Sequence, residues 1–69
     1  MDENRKSFIN GWVCCAGFIA DDHGEKSLIE DAILEHGLTV EDLKAAGVED
    51  FDLCKVMPCF DFLKSVGKL

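Results

Sequence analysis

Apolar positions recur along this chain at helical spacing, and nowhere do they alternate with period two for long enough to make a strand. The pattern predicts an all-α fold, a compact bundle of four to five helices occupying residues 1–69 as a single domain. The first helix is predicted from about Glu3 to Ala20, with Asp2 as its N-cap. Stepping 100° per residue from Phe8, a wide arc collects Cys15, Phe8, Ile19, Trp12, Ala16, Ile9, Ala20 and Val13, the expected core face. A narrower apolar strip, Gly11, Cys14 and Phe18, runs along the other side, interrupted mainly by Asn10. A helix apolar on two sides needs cover on two sides, and Gly11, Ala16 and Gly17 would let a neighbour approach closely.

Asp21-Asp22-His23-Gly24 reads as a polar turn, with Asp22 and Glu25 at capping-box spacing and Gly37 closing a second helix, about His23 to His36. Its apolar face gathers Leu28, Ile29, Ala32 and Ile33, which leaves Leu34 on the far side, exposed or against a second body. Thr39 is placed to cap a short third helix with Asp42 at N3, while Leu38 and Leu43 stand at the two positions of a hydrophobic staple. That helix ends at Gly47, and a fourth is predicted from near Asp50 to Val56, stopped by Pro58. The tail then reads as a last helix with Pro58 at its first position and Gly67 beyond its end. In it Cys59, Phe62, Leu63 and Val66 share one side and Phe60 points the other way.

Charge changes the meaning of this pattern. The segment Leu38 to Leu53 has the rhythm of a helix-turn-helix, but Glu41, Asp42, Glu49, Asp50 and Asp52 face Lys44 alone. Leu43 also stands where the DNA-binding motif wants a small residue. A phosphate backbone would be repelled, so direct nucleic-acid binding is not expected. Of the net charge of −7, residues 21–52 carry −9, from eleven acids against Lys26 and Lys44, and the rest carry +2, from three acids against five bases. An acidic surface of this kind favours basic protein partners and disfavours anionic membranes. The contact residues expected on it are Glu41, Asp42, Glu49, Asp50 and Asp52, then Glu30, Asp31 and Glu35. Some of these acids also serve the helices, standing where the macrodipole favours negative charge.

Two resemblances bear on the same stretch. The LT-x-EDL-K-x-x-G run, Leu38 to Gly47, is similar to the later half of sterile-alpha-motif domains, although those place it after several short helices and here a long apolar helix precedes it. Shared capping grammar accounts for the likeness. Gly11-Trp12-Val13 followed by AAGV-x-x-[FY]DL, here Ala45 to Leu53, resembles small uncharacterised proteins of tailed phages and prophages. That resemblance implies a phage-encoded inhibitor or modulator of a host or defence protein, acting by binding in the host cytoplasm. The alternatives are a nucleic-acid mimic and a zinc- or thiol-dependent structural module.

The remaining chemistry is sparse. Cys14 and Cys15 are adjacent, about 100° apart on a helix and poorly placed to share an ion, and Cys54 with Cys59 makes only a tolerable half-site. No metal or cofactor is expected, and the thiols are read as reduced, buried small hydrophobes. His23 and His36 fall about 20 Å apart by helical rise, with no nucleophile or carboxylate at catalytic spacing, so no enzyme is expected. The polar start MDENRKSFIN has no signal-peptide core, and Gly11 to Ala20 is too short to span a bilayer; the expectation is a cytoplasmic protein. A chain of 69 residues has a thin core and tends to need a disulfide, a metal or a second subunit. The second subunit is the expectation here, a homodimer through Gly11, Cys14, Phe18, Leu34 and Phe60.

Overall fold

A computed structural model describes residues 2–69, and every regular element in it is helical. The helices are α1 (Glu3–Gly17), α2 (Lys26–His36), α3 (Val40–Ala45) and α4 (Asp50–Ser65), with a π-helical segment, Phe18–Asp22, continuing α1. The radius of gyration is 11.1 Å. About 11 Å is expected for one packed body of this length, so no arm projects from it. Helix α4 is the centre of the packing, lying against α1, α2 and the π-helical segment, while α3 rests on α1.

At the starts of α1 and α3 and the end of α2, local chemistry sets the helix end where the sequence places it. The Asp2 carboxylate accepts from the Arg5 amide at 2.9 Å and starts α1. At α3 the capping box is complete: the Asp42 amide donates to Thr39 Oγ1 and the Thr39 amide donates to Asp42 Oδ2, both at 3.1 Å. Leu38 and Leu43, the staple pair, are both buried. Gly37 takes φ +64° at the end of α2, a conformation that costs other residues and costs glycine little.

The expectations for α2 are corrected at its start and on its face. The helix begins at Lys26 rather than His23, and the Asp22–Glu25 capping box does not form. The π-helical segment uses Asp22 as its last residue, the Glu25 amide closes this wide turn onto the Ile19 carbonyl at 3.1 Å, and Asp22 pairs instead with Lys55. On α2 only Ile29 and Ile33 are fully covered, whereas Leu28 is 60% exposed.

The buried face of α1 is centred on Ile9, Val13, Ala16, Gly17 and Ala20, roughly 60° round from the arc read in the sequence at 100° per residue. Phe8 and Cys15 drop out of the core. The reason is Gly17, which has no hydropathy to weigh but lets α4 come close: a Cβ there would stand 3.2 Å from Lys55 Cβ. Lys55 lays its stem on this glycine, while its ammonium lies 4.0 Å from Asp22 and 4.7 Å from the Phe51 ring centroid. No such approach occurs at Gly11, where a Cβ would meet nothing within 4 Å.

Pro58 neither ends nor starts a helix. It lies inside α4, where its missing N–H leaves the Cys54 carbonyl without its usual donor. Burial holds the helix together across this defect, because Val56, Cys59, Phe60 and Leu63 form one face at helical spacing. That single phase also shifts the face read for the tail: Cys59 and Leu63 stay on the buried side, but Phe60 joins them and Phe62 and Val66 leave it. Phe60 is 2% exposed, at the heart of the core, while Phe62 and Val66 are half exposed. Phe60 is therefore removed from the expected dimer interface.

Candidate protein-docking surface

The acids singled out by the sequence lie on the surface but do not form one patch. Glu41, Glu49, Asp50, Asp31 and Glu35 are exposed, and Glu30, Asp42 and Asp52 are half-buried. Asp42 commits its carboxylate to the cap of α3. Glu49, Asp50 and Asp52 stand at the start of α4, whereas Glu41 shares a groove with Asp61, eleven residues after Asp50. That is about 16 Å along the helix. The acidic surface thus has an end at the α4 N-terminus and an end at the α3 N-terminus.

Neutralisation within the chain is slight. Among the described residues the single ion pair is Lys55 Nζ with Asp22 at 4.0 Å, so none of the eight expected contact acids is paired with a cation. The charge of the exposed ones is open to solvent or to a partner, whereas Asp42 is engaged in the cap.

The groove lies between the start of α3 and the second half of α4 and has a volume of about 480 Å³. Val40, Met57, Phe60 and Leu69 supply apolar walls, with Thr39, Glu41, Asp61 and Lys64 around them. Sequence reasoning missed Met57, Asp61 and Lys64, because only the unbroken α4 brings them opposite Val40 and Glu41. A second hollow, beside the amino end of α1, is lined among the described residues by the N-cap Asp2 and by Glu3, Asn4, Arg5 and Phe8 of that helix.

The strip of Gly11 and Cys14 on α1, continued by Phe18 at the start of the π-helical segment, is exposed, with the His23 ring packed against Phe18. Leu34, on α2, is 39% exposed. Between residues 7 and 20 the chain carries no Asp, Glu, Lys, Arg or His, so this face has no formal charge to oppose a second apolar surface. Asn10, read as an interruption of the strip, is instead a tie within the fold. Its amide donates to the Ala46 carbonyl at 2.8 Å and to the Lys6 carbonyl at 2.9 Å, fastening α1 to the corner after α3.

The cysteines depart from expectation. Cys14, Cys15 and Cys54 are exposed, and only Cys59 is a buried small hydrophobe. Burial pushes the Cys59 thiol above its ordinary value of 9.0, the negative charge of Glu30 pushes the same way, and Lys26 opposes them. Its Sγ faces the Lys26 carbonyl at 3.8 Å. Among the described residues no three His, Cys, Asp or Glu side chains converge as the ligands of one ion would. His36 packs its ring edge-on against Phe8 and Trp12, with centroids 5.8 and 6.4 Å away, and His23 does the same with Phe18 at 4.6 Å. Both rings are thus held by aromatic packing. No helix among the described residues is long and apolar enough to cross a membrane. Comparison with protein-family models, with curated proteins and with solved structures finds no match to this chain.

Proposed function

We propose that this protein is a non-enzymatic binding module that captures a protein with a basic surface through its acidic side. The observation that carries the reading is the set of exposed acids left without internal cations, on a chain of net charge −7. Such a surface speeds encounter with a basic partner and rejects acidic ones. The phage resemblance of Gly11–Val13 and Ala45–Leu53 supports a phage-encoded inhibitor or modulator of a host or defence protein as its biological setting. The test is affinity capture from bacterial lysate, with mass spectrometry, at low and high salt. Reversing Glu49 and Asp50 together to lysine should abolish capture while the circular dichroism spectrum stays helical. Undiminished capture by that variant would sink the acidic-surface reading. Capture that nucleic acid competes away would favour a mimic of nucleic acid on the same surface.

Self-association belongs to the same proposal. The exposed strip Gly11, Cys14 and Phe18, none of which carries a formal charge, favours a second copy of the chain on α1. Sedimentation should then show a dimer that Phe18→Glu splits. A wild-type monomer at micromolar concentration would remove this element and leave the acidic surface untouched.

A further inference from the structure

The groove between α3 and α4 has a shape and charge pattern that narrow the partner further. Its walls come from α3 and its cap Thr39, from α4, and from Leu69 beyond the end of α4, and its most buried member, Phe60, is fixed in the core. Val40 and Met57 are only half-buried, so each still offers apolar surface to an incoming side chain. Methionine, unbranched and polarizable, adapts to the shape of what it meets. A volume of about 480 Å³ falls within the usual range for binding clefts. Glu41 on α3 and Asp61 on α4 border it with negative charge, against Lys64 alone, and among the described residues neither acid is in an ion pair.

We propose that this groove seats an apolar side chain from a basic amphipathic helix of the partner protein, with Glu41 and Asp61 receiving Lys or Arg side chains from the same helix. The proposal rests on the protein-binding reading above and adds to it a place and a ligand chemistry. An apolar anchor and a base three or four residues away lie on one side of a helix, which matches an apolar groove edged by carboxylates. The net charge of −7 draws such a helix in and repels a second copy of this chain from the same site. Rim charges act mainly on encounter and register, and the buried anchor contributes most to the lifetime of the complex.

The test is an NMR titration of the isotope-labelled protein with three synthetic 18-residue peptides: an amphipathic Leu/Lys helix, a Ser/Lys peptide of equal charge, and a Leu/Glu helix. The Leu/Lys peptide should shift the amides of Val40, Glu41, Asp61 and Lys64. Its Kd should weaken at least tenfold in Met57→Glu and in the surface pair Glu41→Lys with Asp61→Lys, which leaves the Thr39–Asp42 cap intact. Equal affinity for the Ser/Lys peptide, or shifts centred on Glu49 and Asp50, would overturn the groove while leaving the acidic-surface reading standing. Equal binding of the Leu/Glu helix would overturn the role of charge. A dimer lost in Met57→Glu without peptide would give the groove to a second copy and overturn the proposal. Absence of binding by either lysine peptide, together with no basic protein captured from lysate, would overturn both readings.

Discussion

Replacing Pro58 by alanine should make this protein more stable. Pro58 is exposed and lies inside α4, so the substitution removes no packing from the core. Alanine restores the amide that the Cys54 carbonyl lacks and relieves the clash of the pyrrolidine ring with the preceding turn. It also frees Met57 from the restriction that a following proline places on helical backbone. Interior proline costs about 3 kcal/mol relative to alanine, and the loss of proline's stiffening of the unfolded chain offsets about 0.4–1 kcal/mol of that. A net gain of about 2 kcal/mol follows. In a chain whose core supplies about 3–5 kcal/mol, this is a large fraction of the total. At 4–8 °C per kcal/mol for a domain of this size, Tm should rise by roughly 8–16 °C. Thermal and urea denaturation followed by circular dichroism at 222 nm would measure it. If Pro58 instead opened a separate helix, as the sequence pattern suggests, it would sit where proline is favoured, and alanine would be neutral or harmful. An unchanged or lowered Tm in Pro58→Ala would therefore refute an unbroken α4.

Other outcomes follow from the same packing. Thr39→Ala and Asp42→Ala should each cost about 1 kcal/mol and lower Tm by roughly 4–8 °C, and the double variant should lose about the sum, since each side chain bonds the other residue's backbone amide, which alanine keeps. Phe60→Ala should cost about 3–5 kcal/mol and leave the chain largely unfolded, while Phe51→Ala, which gives up an exposed contact with Lys55, should cost no more than about 1 kcal/mol; comparable urea midpoints would contradict the assigned phase of α4. A thiol reagent should modify Cys14, Cys15 and Cys54 quickly and Cys59 only on unfolding, and fast reaction of all the thiols would place Cys59 outside the core. Because the folded state holds the Cys59 thiol above 9.0, the unfolded chain binds fewer protons there at alkaline pH; this contribution to stability is intact below about pH 9 and declines as pH rises beyond it. Urea midpoints at pH 8 and pH 10 should fall more steeply in the wild type than in Cys59→Ala, and equal slopes would dismiss the effect.

What the sequence discloses about this fold is chiefly local. Asp2, the Thr39–Asp42 box and the glycines at 37, 47 and 67 mark helix ends because a cap is settled among residues three to five positions apart. The phase of a helix is a different matter, since it depends on what lies opposite. Taken as a short tail, residues 58–66 allow a face through Phe62 and Val66. Joined to Val56, they turn Phe60 inward. The core of α1 is displaced in the same way by Gly17, whose contribution is an absence of atoms. Most of the acids lie on the surface, yet their grouping is hidden, because Glu41 and Asp61 border one groove only in the folded chain. Asn10 gives no hint of its role, since its acceptor on Ala46 is an orphan carbonyl thirty-six residues away.

The contact of Gly17 with Lys55 has a consequence for how this protein can vary. One side chain fills the space a Cβ would need, reaches a carboxylate at the end of the π-helical segment and covers an aromatic ring on its own helix. Positions 17 and 55 are therefore sterically linked across nearly forty intervening residues, and drift at either is constrained by the other. A Cβ at 17 would press first on Lys55 Cβ, an atom that shortening the side chain at 55 does not remove, so a larger residue at 17 requires α1 and α4 to part by a few tenths of an ångström.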